Sequence, residues 1–266
     1  MTPTQNPKGD NEMSNYEKIV VAGDFHYPFQ DDKAVDVFLK FVKQEQPNCI
    51  IINGDLADFW EISKYDRVPR TGVRFDEELK MVHEFFARLR KACPAAKIDL
   101  IEGNHEFRFK SYLIRKAPEL YGLGRLTLED LFECHQYHVR YHPLKEGQSR
   151  FGDNAIKVGK LYVGHWNKVS KHAGYTVKNL IDDKGVSLTQ GHTHRVGQHT
   201  RRLFDGSIVG GWEIGCLCDL NPSYMSMPNW QHGFAVVYLK RETGRFHVYP
   251  ILMIDYEFIW NGKSFK

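Results

Sequence analysis

Three short apolar runs in the first half of the chain each end at a glycine followed by an acidic or amide residue. Each run has the length of a buried strand and precedes a longer stretch whose apolar residues recur every three or four positions, as on one helix face. Strand and helix units in succession predict a mostly parallel sheet with right-handed crossovers. The predicted strands are 19–22, 49–52 and 98–101, the helices are 31–44, 75–93 and 107–116, and the turns are Gly23-Asp24, Gly54-Asp55 and Gly103-Asn104.

The second half of the chain contains shorter strand-like segments and one helical segment. No linker rich in Pro, Gly or Ser divides the halves, and no internal repeat occurs, so a single domain over residues 17–266 is favoured over two. Residues 1–16 are polar and cannot bury enough apolar surface to offset their ordering entropy, which predicts a disordered tail. Strands are predicted at 136–141, 160–163, 185–188, 207–209, 234–239 and 246–252, and a helix at 171–181.

The composition excludes several classes of protein. Of the 266 residues, 42% are hydrophobic and 26% are charged, which excludes a disordered, collagen-like or coiled-coil chain. A net charge of +3 is too small to indicate nucleic-acid binding by itself. No apolar stretch could span a bilayer or form a signal core, so we expect a cytoplasmic protein without membrane association. The five cysteines are scattered, which favours reduced thiols over disulfides.

Residue types that bind metals follow each of the three predicted strands. Ligands of an open α/β sheet bind outside the carboxyl ends of its strands, so these side chains are expected to meet there. The second half adds His165, and also His192 and His194, which project to the same side of an extended segment. Carboxylate, amide and imidazole donors together suit manganese, iron, zinc or nickel better than calcium or a thiolate-preferring ion. The residues of the first half are Asp24, His26, Asp55, Asp58, Asn104 and His105.

A purely structural interpretation exists for each of these residues. Asp24 and Asp55 could be turn or helix-cap residues, and Asn104 could simply tolerate a left-handed turn. Such roles are compatible with metal binding. Of the 13 histidines, five belong to the pattern, and the other eight are interpreted as surface or hydrogen-bonded residues: His83, His135, His138, His142, His172, His199, His232 and His247.

Taken together and in this order, five short motifs resemble those of the calcineurin-like metallophosphoesterase superfamily. The resemblance covers residues 18–195, and it implies a four-layer α/β/β/α sandwich in which two mixed β-sheets are flanked by helices. A single motif of this kind is short and common, whereas five in order, each at a strand end, are specific. The motifs are Asp24-x-His26, Gly54-Asp55-x-x-Asp58, Gly103-Asn104-His105-Glu106, Gly164-His165 and Gly191-His192-x-His194.

The resemblance also implies a role for each matched residue. A hydroxide that bridges two divalent metal ions would attack the phosphorus, with His105 as general acid for the leaving group and Asp58 orienting it. Manganese is the favoured ion, and iron, zinc, nickel and magnesium are alternatives. The implied ligands are Asp24, His26 and His194 for one ion and Asn104, His165 and His192 for the other, with Asp55 bridging the two.

The sequence identifies the substrate less closely than it identifies the metal ligands. Ser/Thr protein phosphatases of this superfamily continue the second motif as GDxxDRG, whereas Phe59 and Trp60 follow Asp58 here, which counts against that branch. The loop at 60–74 alternates aromatic and basic residues, a pattern that could bind single-stranded nucleic acid or simply form a solvated face. Candidate substrate-binding residues are Trp60, Tyr65, Arg67, Arg70, Arg108 and Lys168.

A metal-dependent phosphoesterase is therefore expected, and its preferred substrate is a phosphodiester in a nucleotide or in nucleic acid, with DNA or RNA as a candidate partner. One alternative is a phosphomonoesterase that acts on small molecules. Another is a non-catalytic scaffold of the same fold, although a scaffold would have no need to keep every metal ligand. The oligomeric state is not predicted.

Overall fold

The computed structural model describes residues 15–64, 73–144, 154–222 and 225–266. Its helices are α1 (Asp32–Glu45), α2 (Phe75–Ala92), α3 (Phe107–Lys116), α4 (Leu128–Leu131) and α5 (Tyr175–Lys184), with short 3₁₀ turns at Trp60–Ile62 and Pro118–Leu120. Its strands are β1 (Tyr16–Ala22), β2 (Cys49–Asn53), β3 (Lys97–Ile101), β4 (Val139–His142), β5 (Ile156–Val158), β6 (Leu161–Gly164), β7 (Ser187–Gln190), β8 (Val196–Arg202), β9 (Ile208–Ile214), β10 (Gly233–Lys240), β11 (Arg245–Leu252), β12 (Phe258–Trp260) and β13 (Lys263–Phe265).

Two mixed sheets contain most of these strands. The first sheet has the order β11-β10-β1-β2-β3-β4, and its members β1 to β4 are parallel, as the repeated strand and helix units predict. Strands β10 and β11 extend it in antiparallel fashion from the far end of the chain. The second sheet has the order β5-β6-β7-β9-β8, with β6, β7 and β9 parallel and the outer strands antiparallel.

Alternating side chains of β1 show how the layers stack. Ile19 and Val21 lie in the apolar cluster between the two sheets, whereas Val20 and Ala22 point to the opposite face, against α1 and α2. On the outer face of the second sheet, α5 packs through Val177 and its neighbours. The layers are therefore helix, sheet, sheet and helix, which confirms the predicted four-layer sandwich of two mixed sheets.

Several boundaries differ from the prediction. Strand β8 was not predicted, because it is a largely exposed edge strand with the sequence VGQHTRR and lacks apolar alternation. Helix α5 begins at Tyr175 rather than 171, after Gly174 adopts a left-handed conformation with φ of 80°. The predicted disordered tail falls mainly on residues 1–14, which lie outside the described residues, and β1 already begins at Tyr16.

The thiols agree with the prediction of reduced cysteines. All five cysteines are free and buried. None of the described helices combines the length and the apolar character needed to cross a membrane.

Candidate metal centre

The carboxyl ends of the parallel strands of both sheets deliver the predicted residues to one place. In the first sheet, β1 is followed by Asp24 and His26, β2 by Asp55 and Asp58, and β3 by Asn104 and His105. In the second sheet, β6 is followed by His165, and β7 by His192 and His194. Several of these residues have a left-handed backbone, which is uncommon outside glycine and is concentrated at functional sites. The positive-φ residues among them are Asp24, His26, Asp55, His192 and His194.

One group of donors surrounds the end of β1. The Nε2 atoms of His26 and His194 lie 3.1 Å apart, and Asp24 Oδ1 lies 3.1 Å from His194 Nε2 and 3.9 Å from His26 Nε2. All three side chains are buried. Ring nitrogens and carboxylate oxygens that converge in this way can share one cation.

A second group lies at the ends of β3 and β6. His165 Nε2 is 3.1 Å from Asn104 Oδ1 and 3.2 Å from Asp55 Oδ2. The ring of His192 lies beside that of His165, with centroids 5.2 Å apart. Ligand atoms of Asp55, His165 and His192 all fall within 4.8 Å of one another.

Asp55 lies between the two groups. Its Oδ2 atom is 3.8 Å from His26 Nε2 of the first group and 3.2 Å from His165 Nε2 of the second. Burial alone would raise the pKa of Asp55, but the rings of His165 and His105 hold it well below its usual range. The geometry therefore agrees with the bridging position that the sequence motifs imply for this carboxylate.

Hydrogen bonds behind the rings orient them for metal binding. His165 Nδ1 lies 2.7 Å from the backbone oxygen of Asn53, and His26 Nδ1 lies 3.2 Å from Asp58 Oδ2. When Nδ1 donates to such an acceptor, the lone pair of Nε2 is left to face the cluster, as in protein sites that bind metals through imidazole. Burial and the nearby His165 lower the pKa of His192 to about 4, which keeps that ring neutral. The residues present thus fit two divalent ions.

Beside the two groups, Asp58 connects His105 to Arg108. Its Oδ2 atom is 3.0 Å from His105 Nδ1, and its Oδ1 atom accepts a hydrogen bond of 2.8 Å from Arg108 Nη1. Burial lowers the pKa of His105, but the carboxylates of Asp55 and Asp58 outweigh it, so the net pKa lies above its usual value. His105 Nε2 lies 3.9 Å from Asp55 Oδ2, so this ring faces the two groups of candidate metal ligands. The same nitrogen lies 3.1 Å from Arg108 Nη2.

Only some of the other predicted substrate contacts lie within the described residues. Tyr65, Arg67 and Arg70 lie outside the described residues. Trp60 is half-buried and packs edge-on against Phe29, with ring centroids 5.7 Å apart.

Local ion pairs also occupy several basic side chains of residues 160–202, the region that includes the predicted contact Lys168. Lys168 Nζ is paired with Asp183 Oδ2 at 2.5 Å, and Asp182 binds both Lys178 and Arg201. Arg195 is buried and donates to the backbone oxygens of its neighbours. Lys168, Lys178 and Arg201 therefore already have carboxylate partners within the protein.

Two features of the site had no role assigned from the sequence. Glu106 is fully buried and accepts hydrogen bonds from four backbone N–H groups of the loops after β2 and β3. Cys218 lies behind His194, with its Sγ 3.7 Å from His194 Nδ1. Glu106 completes the third motif, so its position was a usable signal, whereas the Cys218 contact depends on a distant part of the chain.

The chain is similar to known proteins over most of its length. The family model for calcineurin-like phosphoesterases matches residues 17–196. The Gene 54 protein of Mycobacterium phage D29 is 26% identical over an alignment of 238 residues, which covers 83% of this chain and 88% of that protein. The Gene 54 protein of Mycobacterium phage L5 is 25% identical over 253 residues, covering 89% and 94% respectively.

Among solved structures, a dimetal phosphatase from Danio rerio is 12% identical, has a TM-score of 0.41, and covers 84% of this chain and 92% of its own. The family model spans the five motifs from Asp24 to His194 and matches more than half of the chain. The chain therefore belongs to the calcineurin-like phosphoesterase family.

Proposed function

We propose that the protein is a metal-dependent phosphodiesterase that acts on nucleic acids or nucleotides. The observation that supports the proposal most is the pairing of His105 with Asp58, 3.0 Å apart, beside the two groups of candidate metal ligands. An alkoxide that leaves from a phosphodiester needs a proton, and an acid of this kind supplies it. A non-catalytic scaffold would have no use for this arrangement.

In the proposed site, Asp24, His26 and His194 would hold one ion, Asn104, His165 and His192 would hold the other, and Asp55 would be shared. Bound ions of this type clamp phosphoryl oxygens and lower the pKa of a water molecule towards neutrality. We favour manganese, because the donor set mixes oxygen with imidazole nitrogen.

In the proposed reaction, the protein's own side chains supply the proton that the leaving group takes. In hydrolysis, the water molecule gives one proton to the solvent and its oxygen bonds to phosphorus; the bond from phosphorus to the leaving oxygen breaks, and that oxygen takes a proton from His105, which later regains one from the solvent. Asp58 holds the ring through Nδ1 and stabilises its charged form. Arg108 touches both residues, and its charge would stabilise a phosphate oxygen brought beside His105.

A panel of substrates with manganese tests the reaction class. The panel contains single-stranded DNA, duplex DNA, RNA, cyclic nucleotides, bis(p-nitrophenyl) phosphate and p-nitrophenyl phosphate. We expect hydrolysis of diesters to exceed hydrolysis of the monoester. Cleavage of the monoester alone would contradict the proposal and favour a phosphomonoesterase.

A second experiment tests His105 as the acid. For His105→Ala we expect a loss of about 10²–10⁴-fold on diesters with alkoxide leaving groups. The loss should be much smaller on nitrophenyl esters, because nitrophenolate leaves without a proton. His135→Ala, at a surface ring 84% exposed, is the control. Equal losses on both substrate types would count against the assignment.

A further inference from the structure

A cleft of about 400 Å³ opens beside the second group of metal ligands. Asn104, His105 and His192 form its inner end, and Arg108 and Arg115 line it further along α3. None of the described residues that line it is Asp or Glu. The cleft is therefore a positively charged extension of the metal centre.

Two of the basic residues that line the cleft lie on one face of α3, and the third, Lys64, follows the 3₁₀ turn at Trp60–Ile62. Arg108, Ser111 and Arg115 are spaced by three and four positions, so they lie on the same side of the helix. Arg115 is two turns beyond Arg108, or about 10 Å along the axis. A single scissile phosphate at the metals cannot extend over this whole distance, so Arg115 would meet a different part of the substrate.

The two arginines have different partners. Arg108 is bound to Asp58 and touches His105, so it belongs to the reacting end of the cleft. Arg115 donates through Nε to the backbone oxygen of Ser111 at 3.0 Å, a contact that directs its side chain back along α3 towards Arg108. Within the described parts of the chain, Arg115 forms no ion pair with a carboxylate, so its charge is left for a ligand.

The position of His105 defines which part of the substrate enters the cleft. If His105 protonates the leaving oxygen, as the proposed function requires, the leaving group departs on its side of the metal centre, where the cleft begins. We propose that this cleft binds a second phosphate carried by the leaving group, with Arg115 as the residue that recognises it. The preferred substrate is then a polynucleotide or oligonucleotide, rather than a cyclic nucleotide or a diester with an uncharged leaving group.

Short thymidine nucleotides test this preference. The value of kcat/KM with manganese is compared for TpT, for its 5′-phosphorylated form pTpT and for its 3′-phosphorylated form TpTp. We expect one of the two phosphorylated forms to be cleaved about tenfold better than TpT, the one whose extra phosphate lies on the leaving nucleoside. Arg115→Gln should abolish this ratio. Lys116→Gln removes the same charge from an exposed neighbour outside the cleft and should preserve the ratio.

A binding experiment without metal gives a second readout. Fluorescence anisotropy of labelled tetrathymidylate in EDTA should show weaker binding for Arg115→Gln, with a salt slope reduced by about one, and no change for Lys116→Gln. If TpT is cleaved but neither phosphorylated form is favoured, the cleft proposal is wrong and the proposed function stands. If no diester is cleaved at all, the proposed function fails, and the binding comparison alone decides whether Arg115 recognises phosphate.

Discussion

Glu106 shows how a residue outside the metal ligands can determine where they lie. Its Oε1 atom accepts hydrogen bonds from the backbone N–H groups of Leu56 and Ala57 at 2.7 and 3.1 Å. Its Oε2 atom accepts from those of Asp55 and Gly103, both at 2.9 Å. One buried carboxylate thus holds the loop that carries Asp55 against the loop after β3.

Replacing this carboxylate by an amide should weaken the protein. In Glu106→Gln, one acceptor oxygen becomes an NH₂ group that faces two backbone donors, and we expect a loss of about 2–3 kcal/mol in the free energy of unfolding. Urea unfolding in EDTA measures this loss without a contribution from metal. Glu119→Gln, at an exposed position, is the matched control. Equal stability of the two variants would contradict the role assigned to Glu106.

Some residues of the site could be predicted from the sequence and others could not. Asp24 and Asp55 were predictable as a pair because each directly follows a strand and a glycine, and strand ends converge in a parallel sheet. Glu106 stands in the third motif, so its position was visible in the sequence, but its role was not, because it acts on backbone N–H groups whose directions a sequence does not show. For Lys168, the ion pair with Asp183 depends on how α5 packs.

At the scale of elements, the turn after β2 brings the two sheets together. Gly54 has a φ of 79°, and a Cβ atom there would lie 2.5 Å from His165 Nδ1 and 3.0 Å from Gly103 Cα. The turn after β2, the loop after β3 and the segment after β6 therefore come into contact at Gly54. A side chain would force His165 away from Asp55.

Two glycine variants separate this close contact from backbone strain. Gly122 has a similar φ of 89°, but no heavy atom lies within 4 Å of the position that its Cβ would take. In both variants, Ala must adopt a left-handed conformation at a cost of about 1–2 kcal/mol. We expect Gly54→Ala to lose more stability in urea unfolding than Gly122→Ala, and to lose manganese affinity as well. Similar values for both variants would show that the contact with His165 is unimportant.

The elements whose apolar residues recur at a regular spacing were predicted best. Helix α3 has the predicted bounds, and α2 differs by one residue, because their apolar residues recur at helical spacing. Strand β4 begins three residues later than predicted, after a turn at His138 with a φ of 53°. Such a local conformation at a residue other than glycine leaves little trace in the sequence.

At the scale of the whole molecule, the last quarter of the chain completes the core. Strand β10 pairs with β1, more than 200 positions away, and β9 lies inside the second sheet. The hairpin of β12 and β13 covers α1, where the ring of Phe41 lies 5.5 Å from that of Phe258 and 5.1 Å from that of Phe265. The sequence predicted β10 and β11 as strands, but not the pairing of β10 with β1, since that pairing joins distant segments.

Removing one ring from this hairpin tests its contribution. Phe265 is 5% exposed, and Phe265→Ala should cost about 3–5 kcal/mol of unfolding free energy through lost burial and an unfilled cavity. Ile259→Ala on the same hairpin, at a side chain 74% exposed, should stay within about 0.5 kcal/mol of the parent protein. Urea unfolding of both variants measures the difference. A small loss for Phe265→Ala would mean that the hairpin is dispensable for the core.

The most direct test of the whole account is anomalous diffraction from crystals grown with manganese. We expect two manganese peaks about 3.5–4 Å apart, one beside Asp24 and His194, the other beside Asn104 and His192, with Asp55 touching both. The absence of both peaks from this place, or a single ion that Asp55 does not contact, would contradict the account.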